Sequence, residues 1–253
     1  MRVPHGPARL AALVLAGCSF MLVTADGQIA YQKPHREILD VLQAKLPPMI
    51  SVSPQKDRLL LMDRVAYPSI AELARPMQRL AGLRIDPANN GRHAPTIYTG
   101  ITIRDIAPGG EDRIVALPHD VTIGEASWSH SGQYFAFPWY RPGHVELWVV
   151  DVATAKARPI AGVALNQTVS AAIQWLPDGK TLLVRTVPTG RAAPPSPALV
   201  PAGPTIQQSD GAAAPVRTYQ DLLENSHDED LFEYFTTSQP VLVDAATGKA
   251  RPF

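Results

Sequence analysis

The sequence predicts an all-β fold, a partial (incomplete) β-propeller preceded by short N-terminal helices. The first observation behind this is a pattern used three times, at residues 50–62, 126–137 and 173–184: a short strand, a polar tight turn, then a second strand. Ser131-Gly132 and Asp178-Gly179 are turn dipeptides, because glycine accepts positive φ without steric cost. Trp128, Phe135, Trp175 and Leu182 beside them suit a pleated, half-buried surface. The second observation is another repeated element, residues 147–160, echoed at 241–253 with Asp151 and Asp244 in corresponding places 93 residues apart. Half of that separation is close to the 47 residues between His130 and Pro177, and both match the roughly 40–50 residue period of propeller blades. The third is composition: 25 prolines against 17 glycines favour short strands and loops over helix interiors.

This period gives residues 46–253, less a proline-rich stretch, roughly three to four blade equivalents, whereas propellers close with about 4–8. The expectation is a chain that stops within a propeller, with unpaired strand edges.

Two segments come before the repeats. Residues 1–25 read as a signal peptide: Arg2 and Arg9, then an uncharged apolar run from Leu10 to Val23, then the small residues Thr24 and Ala25. The run is shorter than the roughly 20 residues of a membrane span. Leu15-Ala16-Gly17-Cys18 fits a second reading, a lipobox in which Cys18 is lipidated and becomes the mature N-terminus. Against that reading, Phe20 to Val23 continue the apolar run beyond the cysteine. Either route places the mature chain outside the cytoplasm, periplasmic or secreted. Residues 26–45 form an N-terminal segment with a short helix, in which Ile38, Leu39, Leu42 and Leu46 recur at helical spacing after Pro34. Residues 69–81 predict another helix, with Ser69 as N-cap and Glu72 three residues on.

Composition excludes several function classes. The formal net charge is zero and charged residues make up 18%, so no global field draws the chain to nucleic acid. Cys18 is the only cysteine, which leaves no disulfide framework. The seven histidines include no helical ligand pair, and no pattern calls for a cofactor. Residues 188–216 hold seven prolines with alanine, glycine and serine, and read as an extended insertion. Beyond it, Asp228, Glu229 and Asp230 cluster ahead of aromatic residues. A calcium loop needs alternating ligands and a central glycine, which are missing. The cluster is expected to be a solvated acidic turn before an aromatic helix or strand. Ser129-His130-Ser131 sets hydroxyls beside an imidazole, but neighbouring strand residues point to opposite faces, and plain turn chemistry is expected there.

The mature chain resembles the N-terminal region of prolyl oligopeptidase family serine peptidases, in the glutamyl endopeptidase branch. The residues that carry the resemblance are Leu46-Pro47-Pro48 with Ser53-Pro54, Glu72-Leu73-Ala74-Arg75-Pro76, the run 80–86, and Tyr98-Thr99-Gly100-Ile101. The runs 199–204, 217–223 and 228–232 extend it, with Thr237-Ser238-Gln239 after them. The resemblance implies a propeller over an α/β-hydrolase domain that hydrolyses peptide bonds after acidic residues through an acyl-enzyme. The hydrolase domain needs a Gly-x-Ser-x-Gly elbow, and no such pentapeptide occurs in the 253 residues. No catalytic residue can be assigned in this chain. The expected role is the non-catalytic N-terminal propeller portion of an exported serine peptidase, truncated before the hydrolase domain. Its partners are then that domain or a chain carrying it, and peptide substrate. The alternative is a stand-alone exported binding module that captures a peptide or a partner protein by strand addition.

Overall fold

In the computed structural model, residues 32–200, 203, 206, 211 and 219–253 are described. The signal peptide, Cys18 and much of the second half of the proline-rich insertion lie outside the described residues. The chain divides into two units, the first ending at Ala44 and the second running from Lys45 to Phe253. In the first, helix α1 covers Arg36–Leu42 and buries none of its residues. All else described below belongs to the second.

The second unit is mostly β, with four antiparallel sheets. Three of them have four strands each. The first contains β1 (Met49–Val52), β2 (Arg58–Arg64), β6 (Tyr98–Asp105) and β7 (Asp112–Ile114), paired in that order. The second contains β8 (Ser127–Trp128), β9 (Tyr134–Arg141), β10 (His144–Asp151) and β11 (Lys156–Ala164), and the third β12 (Ile173–Trp175), β13 (Thr181–Thr186), β14 (Gln239–Asp244) and β15 (Ala250–Pro252). The three predicted strand–turn–strand segments are the hairpins β1–β2, β8–β9 and β12–β13. The second repeat is the pair of hairpins β10–β11 and β14–β15.

Asp151 and Asp244 do correspond, but they sit in adjacent sheets rather than two periods apart. The extra length is the insertion between β13 and β14, which crosses the proline-rich stretch and then helix α3 (Ser226–Thr236). An insertion inside a sheet unit leaves the strand pairing untouched while it doubles the sequence separation.

The middle sheet is covered on both faces. Phe135, Phe137, Trp139, Trp148 and Val150 pack with Leu60, Met62, Ile101 and Ile103 of the first sheet. Ala136, Val145, Leu147 and Val149 pack with Trp175, Leu182, Val184 and Val243 of the third. Alternate residues of a strand point to opposite faces, so two apolar faces require near-continuous apolar runs. Residues 134–140 and 145–152 are such runs. Each large side chain buried here contributes about 1.5–3 kcal/mol of transfer free energy.

Polar ties repeat along the stack. Gln55 Nε2 donates to the His130 carbonyl at 3.0 Å, and Ser131 Oγ donates to the Gly179 carbonyl at 3.1 Å, so each hairpin turn holds the next. On the outer strands, Arg113 Nη1 donates to the Val152 and Ala153 carbonyls at 2.7 and 3.0 Å. Arg158 Nη2 reaches the Ala245 carbonyl in the same way one sheet further on. The turns that receive these arginines are built alike: Asp151 Oδ1 accepts from Thr154 N and Oγ1, and Asp244 Oδ1 accepts from Thr247 N and Oγ1.

Two elements differ from the sequence reading. The helix expected over 69–81 is a single turn, α2 (Ile70–Leu73), although Ser69 does cap it by accepting from Glu72 N at 3.1 Å. Pro76 cannot continue a helix, and the chain passes into β3 (Gln78–Leu80), β4 (Leu83–Asp86) and β5 (Gly91–Arg92), a small sheet the sequence did not announce. Its apolar face, Leu80 and Ile85, packs on Leu231 and Phe235 of α3.

A buried polar network fixes this small sheet to the third large sheet. The Phe235 carbonyl accepts from Asn90 Nδ2 at 3.1 Å and from Asn166 Nδ2 at 2.9 Å, with Thr168 Oγ1 3.2 Å away. Asn166 also donates to the Thr237 carbonyl at 3.0 Å, and its Oδ1 accepts from Thr168 Oγ1 at 2.7 Å. Asn166→Ala strips partners from several buried polar atoms at once, each costing about 1–3 kcal/mol when left unsatisfied. Urea unfolding should show a loss of at least about 2 kcal/mol; an unchanged midpoint would remove the network from the stability argument.

The side-chain and backbone bonds to Asp244 from Thr247 hold its carboxyl below the usual range. Bonds from the Thr181 hydroxyl, then from Lys180 and Thr181 N–H, do the same for Asp178. A depressed folded pKa gives stability that is present above the unfolded value of about 4 and is lost as pH falls through the folded value. The Asp178→Asn, Asp244→Asn double variant should therefore show a flatter fall in Tm than the parent between about pH 4 and pH 2. Parallel curves would show that these turns are not the acid-sensitive groups.

Candidate functional site

The residues singled out in the sequence do not converge. Ser129 is fully buried, its Oγ 3.1 Å from Ser131 Oγ and accepting from Tyr134 N. The His130 side chain is exposed, and its backbone carbonyl is what the neighbouring turn uses. These hydroxyls are engaged in the β8–β9 turn, and no imidazole among the described residues is hydrogen-bonded to them. Asn225 caps α3, its Oδ1 accepting from Asp228 N at 3.0 Å, and Asp228 Oδ2 reaches back to accept from Glu224 N at 2.8 Å. The acidic cluster is the first turn of that helix, where carboxylates favour the exposed N–H groups. Among the described residues no group of three or more His, Cys, Asp or Glu side chains is arranged to hold a metal ion. Nor is any helix among them long and apolar enough to cross a membrane.

What the structure does bring together is a polar cleft of about 450 Å³ between the start of the second sheet, the start of the third and the small sheet. Its walls include Arg92, Glu125, Ser127, Tyr140, Gln167 and Ile173. Tyr140 is shared with two further depressions, one of them beside Arg75 and Trp139. The cleft is assembled across long separations in the chain. A bridging segment pairs Ile123 with both Tyr98 and Trp139, and Thr122 Oγ1 donates to the Tyr140 carbonyl at 2.6 Å. From the opposite side, Gln167 N donates to the Asn90 carbonyl at 3.1 Å, beside β5.

Two glycines hold the Tyr140 ring. A Cβ at Gly91 would stand 3.2 Å from Tyr140 Cε1, and one at Gly124 would stand 3.1 Å from Cε2. Both ring edges next to the hydroxyl are thus packed against backbone. Burial raises the phenol pKa, and the Arg92 charge opposes that rise. The phenol stays protonated, a donor at neutral pH.

The two arginines near Tyr140 have opposite environments. Arg75 is paired with two carboxylates, Asp86 and, at 3.0 Å, Glu72 Oε1. Arg92 is exposed and donates through Nη2 to the Val169 carbonyl at 3.1 Å. No carboxylate among the described residues forms an ion pair with it. Neither Arg92 nor Tyr140 stood out in the sequence. The one local signal was glycine at 91 and 124, and a glycine that admits a ring looks like any other until the ring's location is known.

No family model matches the chain. Its sequence is 38% identical over 236 residues to "Probable glutamyl endopeptidase, chloroplastic" of Arabidopsis thaliana, a match covering 87% of this chain and 24% of that protein. A rice protein of the same name is 36% identical over 232 residues, covering 86% and 24%. The chain resembles the N-terminal region of prolyl oligopeptidase family peptidases and spans about a quarter of the length of the relatives it matches. Solved structures with a looser likeness include the acylaminoacyl peptidase of Pyrococcus horikoshii, 12% identical with a TM-score of 0.40 over 84% of this chain and 26% of that one. TolB of Acinetobacter baumannii is 11% identical with a TM-score of 0.32, covering all of this chain and 49% of that one.

The glycine clamp is open to test. Gly124→Ala would bring a methyl group within 2.7 Å of Pro138 Cγ as well as against the tyrosine, and overpacking of this kind costs about 1–3 kcal/mol. Tyr140→Phe removes only a hydroxyl that has no partner among the described residues, and should change stability by less than about 0.5 kcal/mol. Chemical denaturation of both variants checks this; the reverse order of effects would show that the phenol, not the ring packing, holds the cleft.

Proposed function

We propose that this chain is the non-catalytic N-terminal propeller portion of an exported serine peptidase, and that it governs which peptides reach a hydrolase domain outside these 253 residues. The observation that carries the reading is the 38% identity over 236 residues to a protein named as a glutamyl endopeptidase. The internal architecture supports it. Three consecutive four-stranded antiparallel meanders, each buried against the next, are what propeller blades are made of. The repeated arginine ties support it too, since Arg251 in β15 stands where Arg113 and Arg158 stand in β7 and β11, ready for the turn of a further sheet. Ser129, His130 and Ser131 serve a turn and are not set as nucleophile and base. Cleavage after glutamate is the activity assigned to the complete enzyme. Export rests on the signal pattern of residues 1–25.

The test is a peptide panel with glutamate before the scissile bond, run with the purified chain and repeated with a serine-directed phosphonate probe. Neither turnover nor labelling is expected. Labelling of any serine, with turnover abolished by the probe, would overturn the non-catalytic assignment.

A further inference from the structure

The turn that leads from β4 into β5 ends in Asn90-Gly91, the dipeptide in which asparagine loses its side-chain amide most readily. Glycine has no Cβ to hold its amide nitrogen away from the asparagine side chain. In that reaction Gly91 N bonds to Asn90 Cγ, the Cγ–Nδ2 bond breaks, and ammonia leaves with the proton from Gly91 N. Water then opens the succinimide to aspartate or isoaspartate. In the fold the reacting groups are all engaged elsewhere. Asn90 is only 4% exposed. Its Nδ2 donates to the Phe235 carbonyl at 3.1 Å, and its Oδ1 accepts from Arg191 Nη2 at 2.8 Å. Gly91 N–H donates to Asn89 Oδ1 at 2.9 Å. Asn90 also sits in the left-handed region, with φ 59°, and closing the ring requires ψ to leave the value of about +47° typical there. We propose that Asn90-Gly91 is a deamidation site that Arg191 keeps closed, and that release of Arg191 opens it.

The clamp lies where the chain opens locally. Arg191 stands at the start of the proline-rich insertion, and residues 196–200 beyond it are exposed. Arg191 is fastened to α3 by donating to the Tyr234 carbonyl at 2.9 Å and by stacking over the Tyr234 ring. A peripheral segment of this kind opens at a far smaller free energy than the whole chain unfolds. The guanidinium also draws electrons from Cγ, which by itself would favour attack. The same bond holds the amide toward Arg191 and Phe235, and a better electrophile gains nothing while the nucleophile is kept from it. The product changes the fold. A carboxylate at position 90 has no N–H to give the Phe235 carbonyl, and two oxygens then face each other. Deamidation therefore undocks the small sheet from α3 irreversibly. This chemistry does not depend on the peptidase reading.

The test incubates the purified full chain in mildly alkaline buffer and follows Asn90 by peptide mass mapping. Parallel samples are native, in urea below the unfolding transition, and fully unfolded. The unfolded chain should convert Asn90 at least about tenfold faster than the native chain. Arg191→Met should raise the native rate by about fivefold to thirtyfold, as expected for losing one charge-assisted bond from the closed state. In the parent chain, low urea should raise the rate with a shallower dependence than global unfolding has, because less surface is exposed. Asn90→Asp should lower the urea midpoint. Equal rates in native and unfolded chains would overturn the closed site. An unchanged native rate in Arg191→Met would remove Arg191 as the clamp. A parent rate that follows only global unfolding would rule out local release, and this measurement holds even where the variant fails to fold. An unchanged midpoint in Asn90→Asp would overturn the undocking.

Discussion

One backbone oxygen, that of Phe235, joins parts of the chain that lie as far as 145 residues apart. It sits near the C-terminal end of α3, where helix carbonyls have no intrahelical partner. Asn90 reaches it from the small sheet and Asn166 from the loop before β12, where Thr168 Oγ1 lies 3.2 Å away. Arg191 closes the same knot: it donates to the Tyr234 carbonyl and to Asn90 Oδ1, and stacks 4.0 Å above the Tyr234 ring. A buried carbonyl without these donors would cost more than any one of its bonds contributes. The arrangement therefore specifies one position for the small sheet, and with it the position of Arg92.

The large sheets obey a different constraint. They are held by apolar area between their faces, which is non-directional, and oriented by a few directional polar ties. The ties recur because the turns recur. An aspartate that binds the threonine three residues on leaves the turn's backbone carbonyls pointing outward, and an arginine from the preceding sheet takes them up. Hydrophobic burial supplies most of the stabilisation, and the arginines set the registry of sheet on sheet.

The cleft arises where these two systems meet. Its floor belongs to the second sheet and its rim to the small one, so it takes shape only when the polar knot and the stack are both in place. This also accounts for the contrast between the two arginines. Arg75 follows the helix turn capped by Ser69 and is drawn into the carboxylates of Glu72 and Asp86. Arg92 has no such local carboxylate; it pairs with Ile85 across β4–β5 and is left lining the cleft.

By itself the sequence determined the β character, the three hairpins with their Ser-Gly and Asp-Gly turns, the correspondence of Asp151 with Asp244, and the kinship with the peptidase family. These are local or repeated features, written in alternation, turn chemistry and residue identity. Tertiary structure alone decided the rest. It placed Asp151 and Asp244 in adjacent sheets, ended the helix at Leu73, set Asp228 in a helix first turn capped by Asn225, and set Tyr140 between Gly91 and Gly124. Each of those outcomes depends on a partner distant in the chain or on how the chain folds back, and nothing in the spacing of neighbouring residues records which group will arrive.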